Sequence, residues 1–411
     1  MWVKSMKILF VNKFLYPNGG SETYIFELGR QLQKMGHEVQ YFGMEHEGRI
    51  VGNRVNSYTS NMDFHTGKLQ KLLYPFKIIY STEARKKIRL VLEDFKPDVV
   101  HLNNINFQIT PSIIYEIRKY EKSRGTSVQI VSTAHDYQWV CPNHMMNIPS
   151  SGKNCELCVQ GKYSNCAKNR CIHNSKIKSI LGAAESYYYH FRKTYGQVDA
   201  VICPSEFMKE QLANDSVLAS RLCVLRNFIT NEIAADKNDM KKTNKENEYV
   251  LYFGRYAKEK GIETLLEVCK QLPEISFVFA GNGPLEDKVN LVSNVKNVGF
   301  QNADNLKALI ENAKFSIYPS EWYENCPFSI MESQMYGTPV IGSNIGGIPE
   351  LIQAGKNGEL FESGNAGELK EKIQSLWNDS DRLQRYAQEC AGIKYDTVEN
   401  YCKKLIEKYE E

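Results

Sequence analysis

The feature that most constrains this chain is a strand–helix alternation that runs, stops and starts again. Short apolar runs at 8–11, 37–42, 97–102, 128–136, 199–205 and 221–229 alternate with helical stretches at 21–35, 82–95, 111–120 and 177–195. The segment 237–248, "KNDMKKTNKENE", is polar and reads as a linker. The pattern then resumes with apolar runs at 249–255, 276–281, 295–300 and 315–320 and helices at 263–272 and 304–313, and turns helical from about 368. Strands alternating with helices specify parallel sheets covered on both faces. At 411 residues the chain exceeds what one hydrophobic core supports. The expected fold is therefore α/β: two doubly wound, Rossmann-like domains facing each other across a cleft. The expected limits are an N-terminal domain over 1–230, a linker over 231–248 and a C-terminal domain over 249–388. Helices at 389–411 are expected to pack back on the first domain.

Net charge is +3, so the overall balance does not point to nucleic acid. No run approaches the roughly 18 apolar residues of a membrane span. The start, "MWVKSMKILFVN", lacks the apolar core of a signal peptide, and Met6 is an alternative start. A cytoplasmic location follows as the default, and there eleven cysteines are thiols or metal ligands rather than disulfides.

Four motifs carry chemistry. In "NKFLYPNGGSET" (12–23) a strand leads through Gly19 and Gly20 to Ser21, a candidate helix cap, and free amides at a helix start suit an anion. In "YFGRYAKEKG" (252–261) Arg255 follows a strand and Lys260 lies five residues on, a spacing that can clamp a diphosphate. "AGNGPLED" (280–287) is a glycine turn in which Gly281 and Gly283 permit close approach, and it is not GxGxxG. Taken singly, the Gly19-Gly20 loop reads better as an ordinary tight turn before a helix, and the Gly281/Gly283 turn proves little.

The fourth motif is "SEWYENCPFSIMESQMYGTPVI" (320–341). Pro327 fits the first helical position, Gly337 the position after the end, and Pro339 enforces the stop. The first amides, at Phe328, Ser329 and Ile330, lack intrahelical partners and attract phosphate. Glu324 and Glu332 flank that helix start. Carboxylates repel phosphate but accept hydrogen bonds from sugar hydroxyls, so the pattern suits phosphate in the middle and hydroxyls at both ends.

Glu-x7-Glu as "ENCPFSIME", preceded in order by "GR…EKG" and "AGNGP", resembles the retaining glycosyltransferases of family four in the GT-B fold. Counterparts of the Gly-Gly loop, "TAHD" (133–136), "PSEF" (204–207), "RNFI" (226–229) and "GGIPELI" (346–352) extend the resemblance over nearly the whole chain. It implies that Arg255 and Lys260 hold the donor diphosphate, that Glu332 takes the ribose hydroxyls, and that Glu324, with Cys326, Pro327, Phe328 and Ser329 nearby, contacts the transferred sugar. Gly19 and Gly20 would close over the phosphates. His135 would sit by the sugar as a positioning or electrostatic residue rather than a general base. No catalytic metal is implied. The Asp-x-Asp of "NDSDRL" (378–383) lies between two C-terminal helices, where Asp379 and Asp381 read as turn and cap residues.

The stretch 141–173 departs from that family pattern, with five of the eleven cysteines in a weakly apolar segment. Cys155-x2-Cys158 with Cys166 and Cys171 has the spacing of a tetrahedral structural zinc site, and Cys141 could replace one of them. The insert follows "TAHD" and is expected to shape the acceptor site. Two basic, aromatic segments, 68–90 and 176–195, are candidates for contact with an anionic membrane face, which would suit a lipid-linked acceptor at the inner membrane surface. The expected function is transfer of a sugar from a nucleoside-diphosphate sugar to a saccharide or lipid-linked acceptor, in surface polysaccharide synthesis. Alternatives are a sugar-nucleotide epimerase or phosphorylase of the same fold, or a zinc-containing nucleic-acid-binding module. The near-neutral net charge weighs against the last.

Overall fold

The computed structural model describes residues 5–60, 79–106, 109–229 and 248–411. The chain divides into two compact units, Met1–Arg226 together with Val398–Glu411, and Asn227–Thr397.

In the first unit, strands β1 (Lys7–Val11), β2 (Glu38–Phe42), β3 (Val99–Leu102) and β4 (Gln129–Thr133) precede a small antiparallel ribbon. The ribbon is formed by β5 (Asn147–Ile148) and β6 (Lys153–Asn154), and β7 (Ala200–Cys203) and β8 (Leu222–Val224) follow. The main sheet has the order β2-β1-β3-β4-β7-β8, and each of its pairings is parallel. The winding direction reverses between β1 and β3, so the loops after those strands flank the switch point where ligands bind in such sheets.

The second unit holds β9 (Val250–Phe253), β10 (Phe277–Ala280), β11 (Val295–Gly299), β12 (Phe315–Tyr318), β13 (Val340–Ser343) and β14 (Gly358–Phe361). Their order is β11-β10-β9-β12-β13-β14, again parallel, with the switch point between β9 and β12. Every residue of "VLYF" in β9 and "FVFA" in β10 is buried, as expected of central strands covered on both faces. The two doubly wound domains expected from the alternation are therefore present.

The boundaries differ in two places. The run 221–229 is not one strand: β8 ends at Val224, and Asn227–Ile229 joins the second unit, where the Ile229 amide bonds the Asp396 carbonyl at 2.9 Å. At the C-terminus, the helix Ser380–Gly392 runs through 389 and stays with the second unit, burying Leu383 and Tyr386 in its core. Only Val398–Glu411 joins the first unit. Its helix, Val398–Glu410, is anchored there by polar contacts: the Tyr401 hydroxyl meets that of Tyr24 at 2.8 Å, and Tyr409 meets His101 Nδ1 at 2.6 Å. The expected linker, except Glu248, lies outside the described residues.

Candidate functional site

The loops at the second switch point are built from residues 254–261 after β9 and 319–327 after β12. The turn Lys258–Lys260 ends at Gly261, whose φ of +70° suits glycine; a Cβ there would lie 1.8 Å from the Pro319 carbonyl oxygen. The two loops are thus pressed together, and the Glu321 amide bonds the Glu259 carbonyl at 2.9 Å.

That approach brings Lys260 to Glu324. Glu324 Oε1 accepts from Lys260 Nζ at 2.5 Å, Trp322 Nε1 at 2.6 Å and Ser320 Oγ at 2.8 Å. Burial alone would raise the carboxyl pKa, but Lys260, Trp322 and Ser320 outweigh it and hold the value below the ordinary 4.5. The group is therefore an anion fixed in place: Lys260, Trp322 and Ser320 all reach Oε1, and the Tyr318 hydroxyl also hydrogen-bonds the carboxylate. Behind it, Gly347 donates to the Glu324 carbonyl at 2.7 Å, and Gly346, at φ +58°, leaves no room for a Cβ against the same carbonyl.

Arg255 follows β9 and is exposed; among the described residues its guanidinium has no hydrogen bond or ion pair. The glycine turn with Gly281 and Gly283 is stitched to the same loop, since Tyr256 N bonds Asn282 O at 2.8 Å and Gly254 N bonds Ala280 O at 3.0 Å. The helix of the fourth motif runs Phe328–Met335 and no side chain caps it. Pro327 is its N-cap, not its first residue, because its ψ of 124° is extended. Phe328 and Ser329 therefore hold the first two helical positions, where amides lack intrahelical partners. Buried Cys326 precedes them, its carbonyl held by Asn227 Nδ2 at 2.7 Å. Glu332 is half-buried, its side chain has no partner among the described residues, and burial pushes its pKa up to about 7.

In the first unit, Gly19 rather than Ser21 is the N-cap of the helix Gly20–Lys34. Ser21 lies inside the first turn, donating to Glu22 Oε1 at 2.9 Å and accepting from Asn104 Nδ2 at 2.9 Å. After β4, the imidazole of His135 donates from Nε2 to Asn103 Oδ1 at 2.9 Å and meets Tyr24 edge-on. Burial lowers its pKa to about 4, so it is neutral near pH 7.

Sequence reading missed the group beside His135. His144, from the insert, has φ +66° and places Nδ1 3.6 Å from Asp136 Oδ2. Burial pulls its pKa down, but Asp136 more than offsets this and leaves it raised. Glu185 stands near enough to contribute, and burial raises that carboxyl to about 7. The histidine of "CPNHMM", next to a loop led by "HD", was the available signal.

The expected zinc site is not shown. Among the described residues no group of three or more His, Cys, Asp or Glu side chains is arranged to hold a metal ion. Cys158, Cys166 and Cys171 turn instead into an apolar cluster with Tyr163 and Ala183, and half-buried Cys155 lies outside it. Cys141 donates to Asn143 Oδ1 at 2.8 Å. Burial pushes the Cys158 thiol up to about 11 and Cys141 to about 12, whereas a hydrogen bond with Cys166 lowers that of Cys171. The helix Lys176–Phe191 supplies Ala183 to this cluster, so packing provides the core that the insert lacks by composition. Of the two basic segments, 68–78 lies outside the described residues. In the helix Thr82–Phe95, Arg85 pairs with Glu116 at 2.7 Å and Arg89 with Glu93 at 2.7 Å, while Lys86 stays exposed. No described helix is long and apolar enough to cross a membrane.

Comparison with known proteins is consistent along the chain. Residues 18–232 match the model of Glycosyltransferase Family 4, and residues 235–391 that of Glycosyl transferases group 1. The uncharacterized glycosyltransferase MJ1178 of Methanocaldococcus jannaschii is 25% identical over 308 residues, covering 69% of this chain and 83% of its own. Anabaena HepE, solved with UDP and glucose, superposes with a TM-score of 0.65 at 17% identity, covering 98% of this chain and 99% of its own. The lipopolysaccharide outer core galactosyltransferase WaaB gives a TM-score of 0.63 at 17% identity, covering 98% of each chain.

Proposed function

Because the chain belongs to Glycosyltransferase Family 4, we propose that it transfers a sugar from a nucleoside-diphosphate sugar to a saccharide or lipid-linked acceptor, with retention at the anomeric carbon. The observation that carries this reading is the Arg255–Lys260–Glu324 group at the β9/β12 switch point, beside an uncapped helix start. A cation without a competing partner, a second cation on a fixed carboxylate and free helix amides suit a sugar diphosphate.

In this reading Arg255 and Lys260 bind the diphosphate and offset the charge that grows as the bond from the anomeric carbon to the phosphate oxygen breaks. That oxygen leaves with the electron pair. The acceptor hydroxyl forms its bond to the same face of the anomeric carbon and passes its proton to the departing phosphate. The Glu324 carboxylate accepts from a hydroxyl of the transferred sugar, and Glu332 takes the ribose diol. Neutral His135 positions the sugar, since a group with a pKa of about 4 is a weak base. Gly19, Gly20, Gly281 and Gly283 allow backbone to approach the donor. The relatedness of fold to HepE, whose structure holds UDP and glucose, supports the donor class, and the likeness to WaaB supports a role in surface polysaccharide synthesis.

A thermal-shift screen of nucleoside diphosphates and nucleotide sugars tests the reading. One diphosphate is expected to stabilise the protein, and Arg255→Ala to abolish that shift. A shift that survives Arg255→Ala overturns the clamp. Release of nucleoside diphosphate only when acceptor is present separates transfer from epimerisation.

A further inference from the structure

The helix Lys176–Phe191 has one face buried and an apolar stripe on the other. Ser179, Gly182, Ala183 and Tyr189 face inward, where Ala183 joins the cysteine cluster and Tyr189 bonds the Ile79 carbonyl. Outward, Ile177 is 73% exposed, Ile180 48%, Tyr187 43% and Phe191 85%, with Ala184 also exposed between them. The spacing 177, 180, 184, 187, 191 follows the three-four rhythm of a single helix face, so these side chains form a continuous ridge. A large apolar stripe held in water marks a contact surface.

The charges say what it contacts. Lys176 and Lys178 stand at one end of the helix, and Arg192 and Lys193 follow the other; all four are exposed. The helix's own carboxylate, Glu185, is half-buried and off the stripe. A second copy laid antiparallel on this stripe would set cations against cations, which disfavours self-association through it. An apolar ridge about 21 Å long, at 1.5 Å per residue, with cations at both ends matches an interface of buried acyl chain and anionic headgroup.

We propose that the helix Lys176–Phe191 is a docking element for anionic membrane surfaces: Ile177, Ile180 and Phe191 enter the acyl boundary, Tyr187, held by the Ser164 amide and the Tyr163 ring, lines its edge, and Lys176, Lys178, Arg192 and Lys193 meet the headgroups. This rests on the lipid-linked acceptor reading for its purpose, but it is read out without donor or acceptor, so either can fail alone.

The experiment is flotation of the full chain with phosphatidylcholine vesicles, with and without phosphatidylglycerol. Binding is expected only with phosphatidylglycerol, weakening as salt rises. Ile177→Glu with Phe191→Glu is expected to lower vesicle affinity at least about tenfold, since two apolar side chains leave the acyl region. The same variant should keep the wild-type melting temperature and nucleoside-diphosphate shift, because both positions are exposed. Lys176→Glu with Lys178→Glu is expected to weaken binding and flatten its salt dependence. No flotation of the wild type, or equal flotation of the Ile177/Phe191 variant, overturns the proposal. A concentration-dependent dimer that this variant abolishes overturns it in favour of self-association.

Discussion

Glu324 holds the Lys260 ammonium at 2.5 Å although the two residues stand 64 positions apart, and it does so with one oxygen only. Oε1 also takes Trp322 and Ser320, and the Tyr318 hydroxyl adds a further contact, so the carboxylate is held in one orientation. A cation assigned to phosphate and an anion assigned to sugar are thus one prearranged unit.

Lys260→Ala should therefore do more than remove a phosphate ligand. It leaves a carboxylate of a 9% exposed residue without its counter-charge, and should cost about 2–3 kcal/mol in urea unfolding. Lys260→Met with Glu324→Gln should recover part of that loss, because both charges go together. In the wild type, Glu324 has a folded pKa below its ordinary value. Its contribution is therefore present above about pH 4.5 and lost as pH falls through the folded value; Glu324→Gln should remove that acid-side loss.

Glu332 has the opposite sign. With a folded pKa of about 7 against an ordinary 4.5, the folded state binds the extra proton, so stability should decline as pH rises between those values. Glu332→Gln should flatten that slope in denaturation curves taken across the window. If a ribose diol donates to the carboxylate, donor binding favours its ionised form. Donor affinity should then rise with pH toward 7 with release of a proton, detectable by calorimetry in buffers of different ionisation enthalpy. Glu332→Gln should abolish the release and weaken the donor about tenfold, on the order of one charged hydrogen bond.

His135 should add no limb to the kcat profile near pH 6.5, because burial has already moved its titration to about 4. His135→Ala should lower kcat at saturating donor, about tenfold or more for a positioning group, without changing the profile's shape between pH 6 and 8. A lost limb in that range would restore a general base.

Tyr409→Phe removes the hydroxyl that meets buried His101 Nδ1 at 2.6 Å. The exposed surface hardly changes, yet a buried ring nitrogen loses its partner, so unfolding should cost about 1–2 kcal/mol less. Urea melts of the variant check this. Tyr401→Phe, which breaks the contact with Tyr24, should act similarly.

Cys166→Ala should lower stability by about 1–2 kcal/mol as the loss of packing in a small apolar cluster. Incubation with a strong chelator should leave the melting temperature unchanged; a chelator-induced fall would restore the metal reading of the insert.

The strand–helix alternation was legible because it is local: period and apolar content depend on neighbours in the chain, and a parallel sheet buries its strands on both faces. The helix Thr82–Phe95 and the helix stop at Gly337 follow the same logic, as does Asp379, which caps Ser380–Gly392 by accepting from Arg382 N at 2.9 Å. The ends of elements were less legible. Pro327 was placed one position and Ser21 two positions from their true roles, because a cap is decided by one ψ angle and by which neighbour competes for a hydroxyl. The role of the cysteines was not legible for another reason. Spacing reports which thiols can converge, and only the fold shows that Cys158, Cys166 and Cys171 pack with Tyr163 and with Ala183 from a later helix.

By itself the sequence determined two parallel α/β units and the residue types at their switch points, since backbone periodicity and turn chemistry act over a few positions. Tertiary structure alone decided that Lys260 and Glu324 form one unit, that Glu332 is left half-buried with a raised pKa, and that Tyr401 and Tyr409 return to the first sheet. Those outcomes depend on desolvation and on contacts between distant segments, and both exist only once the strands have set the loops against one another.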